Sequence, residues 1–214
     1  MMAADHEIEA FQEGLRKWAD EDDNIRQFSW REKDSPYEVL IAEILLGATL
    51  ASKVEPIYDE FIEQYPDLKD LADADVNELA SLLEPLGLHN RRAAALIKIG
   101  NQLKDRGVPE DEVELLELPY VGRYAANATL CFGFGERRPI VDANVVRIYN
   151  RIFNLDLNPT GDDAWEFAKQ VLPEGDVQLF NLALLDFGAA VCTDQSPRCS
   201  DCFFSENCYY FSQL

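Results

Sequence analysis

Positive charge is scarce in this 214-residue chain: 19 Lys and Arg stand against 40 Asp and Glu, a formal charge of −21. Nucleic-acid binders normally carry a basic surface, so composition alone speaks against a polyanionic partner. Long apolar runs are also missing. EILLGATL and ANATLCFGFG are too short to cross a bilayer. Alternating strand patterns, internal repeats and low-complexity tracts are absent, which leaves a helical reading. No secretory leader is recognisable, which argues for a reducing cytosol and against disulfides. The acids are spread among apolar periodicities and not gathered in a tail. They describe a folded protein with an acidic surface, suited to a cytoplasm of near-molar salt where screening weakens self-repulsion.

The apolar spacing predicts an all-α protein. Ile8, Phe11, Leu15 and Trp18 mark one helix face, and a polar connector follows from Glu21 to Arg31. Pro36 sits in the first turn of a helix predicted to reach about Leu50. Further helices fit Ser52–Tyr65, Asp75–Glu84, Arg91–Arg106, Arg123–Cys131, Asn144–Phe153, Asp162–Leu172 and Asp176–Val191, with Gly and Pro between them.

Cysteine is rare but concentrated. Four of the five, Cys192, Cys199, Cys202 and Cys208, follow the spacing C-x6-C-x2-C-x5-C. One close pair flanked by wider arms suits a [4Fe–4S] cluster. Structural zinc more often uses two close pairs, and disulfides are the third alternative. Cys131 has no cysteine nearby and is expected to play no part.

Three other segments offer chemistry, each with a plain structural alternative. Leu118-Pro119-Tyr120-Val121-Gly122-Arg123 reads as a tight turn between two helices, whose free amides could hold a phosphate. Asp142, in Val-Asp-Ala-Asn, is either a helix N-cap or a functional carboxylate. Glu43 is a lone acid in the run Leu40 to Leu46, and burial there would raise its pKa toward that of a general acid.

Taken in order from about Phe28 to Cys208, these segments resemble the helix–hairpin–helix DNA glycosylases of the endonuclease III and MutY type. The shared residues are Phe28-x-Trp30-Arg31, Pro36-Tyr37, Glu43-Ile44-Leu45-Leu46, Leu118-Pro119-x-Val121-Gly122, Val141-Asp142-x-Asn144, Asp186-Phe187-Gly188 and the cysteine spacing. Within that family the archaeal thymine–guanine mismatch glycosylases are the nearest likeness.

The resemblance implies two lobes with a DNA cleft between them: residues 35–141 with the hairpin, and 1–34 with 142–214 carrying the cluster. It implies a monomeric, cytoplasmic, nucleoid-associated hydrolase that cleaves the N-glycosidic bond of a mismatched or damaged base in double-stranded DNA. Asp142 would be the catalytic carboxylate and Glu43 the acid that protonates the departing base. Bifunctional members carry Lys where this chain has Tyr124, so strand cleavage through an imine is not expected. Pro119, Tyr120, Val121, Gly122, Arg123 and Arg198 would contact DNA, and the four clustered cysteines would hold [4Fe–4S]. MutY-type enzymes have Gln where Leu182 stands and an additional C-terminal domain, whereas this chain ends six residues after Cys208. T or U opposite G is therefore favoured over adenine. A catalytically idle Fe–S protein that binds DNA is the alternative from another class. Two positions depart from the family: Tyr120 replaces a Gly, and Gly47-Ala48 replace a larger polar residue that fills the space of the extruded base.

Overall fold

The computed structural model describes residues 3–21, 24–33 and 35–214; Asp22 and Asp23 of the expected connector lie outside them. The described residues form α1 (Asp5–Ala19), α2 (Pro36–Leu46), α3 (Ala51–Gln64), α4 (Leu68–Ala72), α5 (Val76–Leu82), α6 (His89–Leu103), α7 (Glu112–Leu116), α8 (Arg123–Ala128), α9 (Ala143–Phe153), α10 (Asp162–Val171) and α11 (Val177–Ala190). A π-helical stretch, Thr129–Gly133, continues α8, and short 3-10 turns fill several connections. No strand occurs among the described residues.

The chain divides into two compact units: the described residues of 1–26 with 137–214, and 27–136. Both boundaries fall earlier than the expected 35 and 142, and side-chain contacts explain why. Phe28 and Trp30 stack at 4.5 Å, and Trp30 packs edge-on against Tyr58 within the core of the second unit. At the other boundary, Arg137 donates to the Leu172 and Pro173 carbonyls at 2.7 and 3.0 Å, fastening its segment to the first unit.

The first unit is built around aromatic rings. Phe11 of α1 meets Phe153, Phe203 and Phe204 at 5.6–5.9 Å. Because Phe203 and Phe204 lie between Cys202 and Cys208, the cysteine loop is anchored in this core by its own sequence. Gly188 on α11 permits a close helix contact: a Cβ there would stand 3.1 Å from the Asn144 Cβ.

The second unit is mostly aliphatic. Helix α2 is buried almost all round through Tyr37, Val39, Leu40, Ile41, Ala42, Ile44 and Leu45. It ends at Leu46 and not near Leu50, because Gly47 and then Ala48, at φ +57°, turn the chain. Of two short helices, α4 was not foreseen, whereas α7 is the helix expected before the turn at Leu118. Asp67 and Asp111 start them by accepting from amides of the following turn, as does Asp75 for α5.

Candidate active site and cysteine cavity

Asp142 belongs to the first unit, where it is the N-cap of α9. One carboxylate oxygen accepts from the Val145 amide at 2.7 Å, and the other from the Asn144 side-chain amide at 2.8 Å. The plain capping role is therefore real. It also aims and fixes the carboxylate, which remains half-buried and not sealed.

The anchoring continues beyond Asn144. The Arg147 guanidinium donates to the Asn144 side-chain carbonyl, to the Gly188 carbonyl and to the Cys192 carbonyl, each at 2.9 Å. A continuous chain of hydrogen bonds thus runs from Asp142 to the first clustered cysteine. Arg151, one turn further along α9, donates to the Thr193 and Asp194 carbonyls at 2.6 Å and toward the Cys192 sulfur at 3.6 Å. It also lies 4.7 Å over the Tyr210 ring. The sequence reading missed Arg147 and Arg151. Their signal was spacing: Asn144, Arg147 and Arg151 share one face of a helix that starts at Asp142.

Asp186 and Phe187 explain the rest of the Asp-Phe-Gly motif structurally. Asp186 is 1% exposed and is gripped by Arg26 through its backbone amide at 2.8 Å and its side chain at 2.6 Å. Phe187 packs between Trp18 and Phe203. Leu182, on the same helix α11, is half-buried.

Cys192, Cys199, Cys202 and Cys208 line one small cavity with Arg151, Val191 and Tyr210, and none is disulfide-bonded. Burial pushes the thiols of Cys199, Cys202 and Cys208 upward, Cys202 to about 11, and the neighbouring sulfurs add to the effect. Four thiolates could share this space only beside a compensating positive body. Among the described residues no three His, Cys, Asp or Glu close in on a single metal-ion position. Four thiols lining one cavity are the donor set that would hold an iron–sulfur cluster. Backbone amides also point at sulfur: Phe204 toward Cys202 at 3.4 Å, and Tyr210 and Phe211 toward Cys208. Arg198 also lines the cavity, exposed and 3.7 Å from Asp201. Cys131 is buried in the other unit.

Glu43 belongs to the second unit, in the last turn of α2. Part of its surface reaches solvent, but its carboxyl is packed round by protein. Desolvation pushes its pKa up to about 8, against the pull of the Arg31 charge. At neutral pH it carries its proton. Tyr124 is half-buried in the first turn of α8.

The hairpin precedes that turn. The Val121 amide is engaged by the Leu118 carbonyl at 3.3 Å, Gly122 is the N-cap of α8, and Arg123 is half-buried. Pro119 is half-buried, and Tyr120 is 43% exposed at φ +65°. The turn is thus not merely bulkier than a glycine would make it; the tyrosine backbone is forced into the left-handed region that glycine adopts freely.

A model of the HhH-GPD superfamily of base excision DNA repair proteins matches residues 41–174. The chain belongs to this superfamily. It is 38% identical to a thymine/uracil-DNA glycosylase of Methanothermobacter thermautotrophicus, covering 88% of each protein. A thymine/uracil-DNA glycosylase of Pyrobaculum aerophilum is 36% identical over 95% of this chain and 92% of its own length. Among solved structures, a thermostable thymine-DNA glycosylase superposes with a TM-score of 0.92 at 34% identity, covering 98% of both chains. The HhH-GPD match spans Glu43, the hairpin, Tyr124 and Asp142, and ends before the cysteine loop.

Proposed function

We propose that the chain is a monofunctional DNA glycosylase that hydrolyses the N-glycosidic bond of thymine or uracil opposite guanine. The observation that carries this reading is a pair of carboxyl groups in opposite environments. Asp142 accepts two hydrogen bonds that fix and aim its carboxylate, while Glu43 sits where burial keeps it protonated.

Breaking the bond builds positive charge on the deoxyribose. The Asp142 carboxylate offsets that charge and orients or deprotonates the attacking water. Glu43 gives its proton to the leaving base, which must first leave the stack. Tyr124 has no amine to form an imine with the sugar, so the product is an abasic site in an intact strand. Leu182 presents an apolar surface with no amide to read adenine. Pro119 to Arg123 place the α8 N-terminal amides against a phosphate, and Arg198 adds a cationic contact.

Cys192, Cys199, Cys202 and Cys208 would hold a [4Fe–4S] cluster. When bound it would cross-link the loop and supply a redox-capable centre. The names of the relatives support the choice of base, and the family supports DNA as the partner. No helix among the described residues is long and apolar enough to cross a membrane.

A panel of duplexes assayed in high potassium chloride tests the proposal. Release of T and U opposite G, with strands breaking only after hot alkali, is expected. Release of adenine would favour an adenine glycosylase. Binding without any release would favour an idle DNA-binding protein.

A further inference from the structure

Arg92 is the largest side chain sealed in the second unit, 2% exposed, and nothing above assigns it a role. Its guanidinium lies under a thin cover and not deep in the core, and burial pulls its pKa down while Tyr120 opposes. Among the described residues no carboxylate pairs with it. Its partners are neutral: the Leu45 carbonyl at 3.3 Å, the Gly47 carbonyl at 2.5 Å and the Thr49 hydroxyl at 2.8 Å. The Nε has no partner at all. A buried cation without a counter-ion is costly. The dipole at the C-terminal end of α2 offsets part of that cost, because the carbonyls it meets are those the helix leaves unsatisfied.

The guanidinium holds loop 47–50 by the bonds just given. Two other turns belong to the same unit: 87–88, directly before α6, and the hairpin turn at Tyr120. Each loop holds a non-glycine residue at positive φ: Ala48, Leu88 and Tyr120. Each also presents an exposed apolar side chain, Leu50 at 69%, Leu88 at 58% and Tyr120 at 43%. Uncharged groups of this kind suit a base stack better than a phosphate.

We propose that Arg92 is a positioning residue, holding loop 47–50 in the arrangement that engages the duplex when a base is extruded. The inference rests on the glycosylase reading and adds how the protein side of extrusion is pre-formed. Strain at Ala48 persists only where the surroundings over-determine it, and the Arg92 bonds to Gly47 and Thr49 on either side do so.

The test uses Arg92→Met, Arg92→Lys and Thr49→Val in the full chain. Hydrogen exchange is read at the Gly47 and Thr49 amides, which are bonded to Glu43 and Leu46 carbonyls at 3.1 and 2.9 Å. In Arg92→Met these amides should exchange about tenfold faster or more, while α11 is unchanged. Single-turnover release from a G·T duplex should fall by about tenfold or more, whereas binding of a duplex with a stable abasic analogue, which needs no extrusion, should change by less than about threefold. Lys should restore part of the loss, and Thr49→Val should show the same split in smaller size. Wild-type exchange and release in both Arg92→Met and Thr49→Val would overturn the proposal. So would equal losses in release and abasic binding. If Arg92→Met does not fold, Thr49→Val alone decides by the same criteria. A wild type that releases no base would sink the glycosylase reading instead, and the exchange result would still stand.

Discussion

The two units hold their carboxyl groups by opposite means. In the first, arginines and aromatic rings dominate, and Asp142 is fixed through Asn144 and Arg147 to the carbonyl of Cys192. In the second, the packing is aliphatic, and desolvation is the main influence on Glu43. Hydrogen bonds fix a carboxyl in place, while desolvation raises its pKa. Under the proposed reading, one chain draws a charge stabiliser and a proton donor from the same functional group.

The largest effect should come from Asp142→Asn. The amide can still cap α9, so melting should change little, but the charge is gone. Base release should drop by about a thousandfold or more, the scale of losing a main electrostatic contact to a transition state. Near-wild-type release in single-turnover assays would reduce Asp142 to a cap and erase the contrast between the units.

Disturbing the cysteine loop should separate the units next. The purified protein should be yellow-brown with close to four irons per chain, and Cys202→Ser should lose most of the iron and colour. Hydrogen exchange should rise around Asn144, Arg147 and the loop, and stay unchanged in α2 and α6. One zinc and no acid-labile sulfide in the wild type would contradict the cluster. Equal loosening in both units would contradict their separate means of support.

The smallest effect lies in the hairpin. Tyr120→Gly relieves a left-handed residue and should stabilise the second unit by about 1 kcal/mol, a rise of roughly 2–4 °C in Tm. A lower Tm would mean that the tyrosine ring contributes more packing than its backbone costs.

Much of this was legible in the sequence, for identifiable reasons. Helices such as α1 and α9 have long apolar stripes, and the cysteine spacing and Val-Asp-Ala-Asn stand out without an alignment. A five-residue helix such as α4 is too short to show periodicity, so only its capping aspartate marks it. The unit boundaries were misjudged because Phe28 and Trp30 look like linker residues until their stacking is seen. Arg92 was illegible because an arginine gives no local sign of donating to distant carbonyls; Arg147 and Arg151 showed only a shared helix face, not what they hold. Tyr120 was noticed as a departure, yet its left-handed backbone is visible only in the fold.

The central claim is that Glu43 works as a protonated acid. Burial pushes the Glu43 pKa up to about 8, from an ordinary value of 4.5. Stability from the neutral carboxyl is therefore complete below about 4.5 and is lost as pH rises through about 8. Catalysis that needs the proton should fall over the same upper limb. The deciding measurement is the single-turnover rate of T release from a G·T duplex against pH, for the wild type and Glu43→Gln. The account predicts a wild-type rate that declines above about pH 8, and a slower variant whose rate shows no such decline. A wild-type rate flat through pH 8 to 10, or a variant that keeps the same decline, would contradict it.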